Sequence, residues 1–176
     1  MVGVIVVYEG ENITEGVYKL SDIGAFEATG FRGVMRGKVE DLQEFLKKVE
    51  ERIQPPTFLP VKRVVPIEEW FYFSPEKFSD IVKERIEKYA ERIEAPESFC
   101  VRVERRGMKG VLSSKDLERE IGKYIFDLLK KRFGVESKVD LEDPDKMIVI
   151  EMIGNLAGLA LICKKDRKAF PLIRVK

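Results

Sequence analysis

Between Phe99 and Gly134 the spacing of apolar residues changes from two to between three and four, so this chain must pack strand and helix together as layers. Phe99, Val101 and Val103 alternate with Cys100, Arg102 and Glu104, which is the pattern of a half-buried strand, where successive side chains point to opposite faces. The strand runs into Arg105-Arg106-Gly107-Met108-Lys109-Gly110, a loop with three cations and two glycines. Ser113 then stands where a helix N-cap belongs, with Asp116 as the acid three residues on. Leu117, Ile121, Tyr124, Ile125 and Leu128 recur at helical spacing, and Gly134 occupies a C-terminal position that favours glycine. A cationic loop thus feeds a helix start, whose free N–H groups and dipole attract anions such as phosphate.

The flanking segments extend the same alternation. Val2-Gly3-Val4-Ile5-Val6-Val7-Tyr8 is a β-branched run typical of a buried strand, and a short helix around residues 15–23 and a strand at residues 31–39 follow. Leu42, Phe45, Leu46, Val49 and Ile53 mark an amphipathic helix that Pro55-Pro56 terminates. This order is consistent with a ferredoxin-like layer over residues 1–56, with Pro55-Pro56 as the domain boundary and residues 57–176 as a second domain.

Beyond the prolines, residues 58–73 read as extended, and Ser74-Pro75-Glu76 as a helix start with proline at the first position. Phe78, Ile81, Val82, Ile86, Tyr89 and Ile93 form the stripe of that helix. Residues 147–153 and 156–163 are apolar strands joined by Gly154-Asn155, a two-residue turn with glycine first. The charged residues 164–168 read as a turn before a last strand at residues 169–175. The fold class expected is α+β.

Several chemistries are disfavoured. Histidine is absent, which removes the commonest general base, every Ser-His or Cys-His nucleophile pair and most catalytic metal sites. Two cysteines are too few for a disulfide scaffold or a four-ligand zinc site, and no phosphate-loop or dinucleotide glycine fingerprint occurs. Asp140, Asp143 and Asp145 have the wrong spacing for a calcium loop, with Pro144 among them, and read as a structural turn. No cofactor, no metal and no catalysis are therefore expected, although an enzyme working with carboxylates alone stays a rival. With no apolar run of spanning length and no signal segment, a cytoplasmic protein without membrane attachment is expected. Charged residues make up 36% of the chain while Gln and Asn occur twice each, a thermophile-like composition.

The formal net charge of +1 conceals an asymmetry. Residues 1–95 carry 14 Lys/Arg against 18 Asp/Glu, and residues 96–176 carry 18 against 13. A basic second half points to a polyanion partner there. Arg102, Arg105, Arg106, Lys109, Lys115, Arg119 and Lys123 are the candidate contacts, and Lys164, Lys165, Arg167 and Lys168 are candidates for a second one. Each has a bland counterpart. Arg102 and Arg106 would suit the solvated face of an edge strand, while Lys115, Arg119 and Lys123 alternate with Glu118 and Glu120 and would suit surface ion pairs. Residues 164–168 would suit a solvated turn, and Trp70, Phe71 and Phe73 are assigned to the core.

Three passages together resemble the THUMP domain. They are Phe99-Cys-Val-Arg-Val-Glu-Arg-Arg-Gly, a capped helix containing Glu120-Ile121-Gly122, and Val139-Asp-Leu-Glu-Asp-Pro-Asp leading to Ile148-Val-Ile-Glu-Met-Ile. Arg63-Val-Val-Pro-Ile67 is similar to the entry strand of the same module, so the resemblance covers residues 61–163. It implies a mixed sheet with flanking helices and an RNA-binding role in tRNA modification, in which THUMP domains position tRNA while a separate domain performs the chemistry. Among such proteins the chain is most similar to the non-catalytic adaptor of tRNA cytidine acetylation. The resemblance thus implies tRNA and a separate acetyltransferase as partners. The alternative is a protein-interaction module of THUMP-like fold that no longer binds RNA.

Overall fold

Val4, Ile5 and Val6 are inaccessible to solvent, as a β-branched run at the middle of a sheet must be. They lie on β1 (Val2–Tyr8), which in the computed structural model of residues 1–176 is flanked on both sides. The first sheet has the order β2 (Ala25–Ala28), β3 (Val34–Val39), β1, β4 (Val61–Ile67), and every pair is antiparallel. With α1 (Ile13–Lys19) between β1 and β2, and α2 (Leu42–Ile53) between β3 and β4, this is the ferredoxin-like βαββαβ order. Asn12 caps α1 by accepting from the backbone N–H groups of Thr14 and Glu15, and Asp41 caps α2 by accepting from that of Glu44. Pro66 is tolerated within β4 because that strand lies at the sheet edge.

The second sheet has the order β5 (Glu69–Tyr72), β8 (Leu156–Cys163), β7 (Lys146–Ile153), β6 (Phe99–Glu104). Its β6–β7 pair is parallel and the other pairs are antiparallel, so it is a mixed sheet. α3 (Phe78–Ala90), entered through a 3-10 turn at Pro75–Lys77, and α4 (Ser114–Phe133) pack on it. Phe78, Val82, Ile86, Phe99, Val101, Ile121, Ile125, Ile148 and Leu159 meet in the core they share. Ser113 accepts from the Asp116 N–H, and Gly134 ends α4 in the left-handed region at φ 74°, as the local signals require. Gly154-Asn155 forms the β7–β8 turn, with Gly154 at φ 62°.

Six details differ from the sequence expectations. The chain divides into one unit of Met1–Glu68 with Arg167–Val175 and another of Glu69–Asp166, so Pro55-Pro56 lies inside the first unit, whose sheet β4 completes. β2 is an additional strand, too short and glycine-flanked to show an alternation. Residues 164–168 form a helix, α5 (Lys164–Ala169), because the run contains helix formers and no glycine or asparagine to turn a hairpin. The last strand shrinks to one bridge, Ile173 beside Val64. Phe71 and Phe73 are buried beside Phe78, while Trp70 is half-buried and the Ser74 side chain makes no cap bond.

Candidate nucleic-acid interface

Because β6 alternates, Phe99, Val101 and Val103 enter the core, and Arg102 lies on the opposite face. Its guanidinium reaches Glu118 of α4 at 3.3 Å and also donates to the Leu141 carbonyl. Past β6 the backbone turns sharply, with Gly107, Met108 and Gly110 all at positive φ. Met108 packs against the core, Arg105 donates to the Gly107 carbonyl at 2.5 Å, and Lys109 at the tip is exposed with no ion pair. Lys115, Arg119 and Lys123 follow on one face of α4, all exposed. Arg119 lies 3.8 Å from Asp116 and Lys123 lies 2.9 Å from Asp127, whereas Lys115 has no carboxylate partner. Glu120 faces the other way. Lys83 and Ser79 of α3 donate to it and hold its carboxyl below the usual range.

Arg106 is the clear correction. It is only 8% exposed, and its guanidinium lies 2.7 Å from Glu151 of β7, itself inaccessible. A cation held in this way is not presented to a phosphate. The backbone reinforces the pairing, because the Gly154 N–H donates to the Arg106 carbonyl at 2.8 Å. Sequence reasoning missed this because Glu151 stands in an apolar strand far along the chain. A carboxylate in that run was the available sign, since buried charge requires a partner.

The second group is also divided. Lys164 pairs with Asp143 at 3.2 Å and Asp145 at 3.6 Å, which raises its pKa. Lys165 and Lys168 are exposed without ion pairs, and Arg167 is half-buried. The aspartates in the Asp140–Asp145 string have structural work. Asp140 accepts from the Asp143 and Glu142 N–H groups and Asp145 from the N–H and hydroxyl of Ser98, which lowers both carboxyl pKa values. No three Asp, Glu or Cys side chains converge as metal ligands.

The basic ridge borders a groove that the sequence did not suggest. About 490 Å³ in volume, it lies between the edge of β6 and the flank of α4. Cys100, Val101, Gly122, Phe126, Val139 and Leu141 make its apolar surface; its charged rim holds Arg102, Lys115, Arg119 and Lys123 with one carboxylate, Glu118, which pairs with Arg102. Val139 and Leu141 are 49% and 58% exposed.

The THUMP domain family matches residues 73–161, half of the chain, which include β6, the loop, α4, β7 and most of β8. The chain belongs to the THUMP domain family. A probable tRNA sulfurtransferase of Methanosarcina acetivorans is 40% identical over 76 residues, 43% of this THUMP chain and 18% of that protein. Among solved structures, PH1313 from Pyrococcus horikoshii Ot3 is similar with a TM-score of 0.59 and 19% identity, covering 92% of this chain and 54% of its own. TrmN from Thermus thermophilus has a TM-score of 0.58 and 18% identity, covering 92% and 45%. A 4-thiouridine synthetase solved with RNA and ATP has a TM-score of 0.52 and 14% identity, covering 92% and 41%. At such identities the structural likeness is one of fold. The THUMP chain spans about half or less of the length of each of these proteins. No helix is long and apolar enough to cross a membrane.

Proposed function

We propose that this THUMP protein binds tRNA and presents it to a separate modifying enzyme without performing chemistry itself. The observation that carries the reading is the pair of cations without carboxylate partners, Lys109 and Lys115, at the loop and helix start of a THUMP fold. Such cations can neutralise phosphates and release counterions without first breaking an ion pair. A-form RNA is recognised chiefly by shape and backbone, which a basic ridge suits. Arg102, Arg105, Arg119 and Lys123 flank this contact, and Lys165 and Lys168 are assigned a second one. The 40% identical segment of a probable tRNA sulfurtransferase supports tRNA as the ligand. The lack of histidine supports a non-catalytic role. Cytidine N4-acetylation is the reaction we assign to the partner, on the resemblance to that system's adaptor.

Filter binding of tRNA over a salt series tests the first part. Affinity should fall steeply with salt, and Lys109→Ala with Lys115→Ala should lower the logarithmic slope by about two. An unchanged slope would refute the assigned contacts. Incubating tRNA with acetyl-CoA, ATP and the acetyltransferase, with and without this protein, tests the rest. Acetylcytidine should form in quantity only when both proteins are present.

A further inference from the structure

Main-chain pairing covers the edge of β6 at its first residue only. Beyond it the Arg102 side chain reaches across to Glu118 and the Leu141 carbonyl, and Val101 and Val103 are each 4% exposed, so an added strand must displace Arg102. The Phe99 N–H donates to the Lys138 carbonyl, and the Asp140 N–H donates to the Phe99 carbonyl, both at 3.0 Å. The Asp140 side chain then turns the chain away by accepting from Glu142 and Asp143. Strand parity carries the consequence onward. Phe99 bonds outward and Ser98 accepts from Lys146 at the start of β7, so the main-chain N–H and C=O of Val101 and Val103 also point outward, with nothing paired to them. Val101 borders the groove between β6 and α4.

Across that groove stands Gly122, in the middle of the 20-residue α4. A β-carbon built there would meet nothing within 4 Å, so no internal packing requires the glycine. Alanine at a helix interior would be about 1 kcal/mol more favourable. A glycine that helix stability disfavours and internal packing does not require leaves room for something outside the chain.

We infer that this groove takes an extended acidic segment of a partner protein, which adds to β6 as a fifth strand. The pairing groups decide between a peptide and a nucleic-acid backbone. Val101 and Val103 present acceptors as well as donors, and a strand offers both in the matching repeat, whereas in an RNA backbone the phosphate oxygens only accept and the 2′-hydroxyl alone can donate. The exposed Val139 and Leu141, with Phe126, suit apolar side chains on one face of the added strand. At the rim Lys115, which has no carboxylate partner, suits a carboxylate on the other, while Arg119 and Lys123 would first leave Asp116 and Asp127. In the adaptor reading, this is where the modifying enzyme would be held while Lys109, off the groove, faces the tRNA and the rim cation Lys115 lies between the two ligands, so the inference rests on that reading for the partner's role but not for the site.

The test uses the whole chain, a fluorescein-labelled peptide of alternating glutamate and valine matched to the length of β6, and amide hydrogen exchange. Bound peptide should slow exchange at Val101 and Val103 by about tenfold or more. Gly122→Leu, which fills the groove, should weaken peptide binding by about tenfold while the tRNA salt series stays unchanged. A lysine-for-glutamate peptide, or one N-methylated at the pairing positions, should lose binding. Failure of the peptide with tRNA binding intact would overturn this inference alone, and a reduced tRNA salt slope in Lys109→Ala, whose side chain lies off the groove, with peptide binding intact would support it independently of the tRNA contact. The inference also fails if Gly122→Leu binds peptide like the wild type, if oligouridylate protects Val101 and Val103 in place of peptide, or if a second copy of the chain covers them as concentration rises.

Discussion

Replacing Arg106 with alanine separates a structural cation from an RNA-binding one. The guanidinium is 8% exposed and lies 2.7 Å from the Glu151 carboxylate, which solvent does not reach. Removing the cation takes a charge partner from a carboxylate in low dielectric, and breaking such pairs costs about 3–5 kcal/mol. That is a large part of the roughly 5–15 kcal/mol that holds a domain folded. Urea titration of the whole chain should therefore show the transition of the unit Glu69–Asp166 moved far toward lower denaturant. Arg106→Met with Glu151→Leu removes both charges and keeps side-chain volume, so it should recover most of the loss, and it should leave the salt slope of tRNA binding unchanged. A surface cation behaves in the opposite way, with stability nearly constant and the slope reduced. If Arg106→Ala were stable to within about 1 kcal/mol of wild type and bound tRNA with a shallower slope, the buried pair would not be the reason for this residue.

Two further substitutions use one helix against itself. Gly122→Ala should stabilise the protein by about 1 kcal/mol and Gly134→Ala should destabilise it by a similar amount, because only the second sits at positive φ, and thermal unfolding reads both signs. Glu69 accepts from Arg85 at 2.8 Å, Lys88 at 2.7 Å and the Tyr89 hydroxyl at 2.8 Å. Burial pushes its carboxyl pKa up, but these three partners outweigh burial and hold it below the ordinary value. The unfolded chain thus takes up the proton first, so the contribution of Glu69 is fully present above the ordinary carboxylate range and is lost as pH falls through the lowered folded value. Urea midpoints should differ between wild type and Glu69→Gln at pH 7 and converge at strongly acidic pH.

What could be read from sequence follows the range over which each feature is determined. α4 was legible from end to end because its cap, stripe and glycine stop lie within one stretch of chain. The core of the second unit was legible because alternation on β6 and helical spacing on α3 each select one face. The domain boundary was not, since β4 joins β1 of the first sheet across more than fifty residues and the last bridge, Ile173 to Val64, spans more than a hundred. Nor was the division among the cations. A lysine next to a glycine reads the same whether its partner is a phosphate, a water or a glutamate far along the chain. Arg106 and Lys109 stand in one loop and have opposite fates for that reason.

That division matters for how an interface on this chain would work. Exposed pairs such as Lys123 with Asp127 are worth about 1 kcal/mol or less, so a phosphate can displace the carboxylate at small cost. The displaced aspartate then stands close to the phosphate, and its repulsion offsets part of the gain. Lys109 and Lys115 carry no such opposition. The basic excess of the second half therefore overstates the binding surface, because several of its cations already neutralise acids of the same fold. Net charge reports the sum, while salt-dependent affinity reports only the cations that change partner. On this chain the two quantities diverge most at Arg106, where the charge is counted in full and takes no part in exchange with solvent ions.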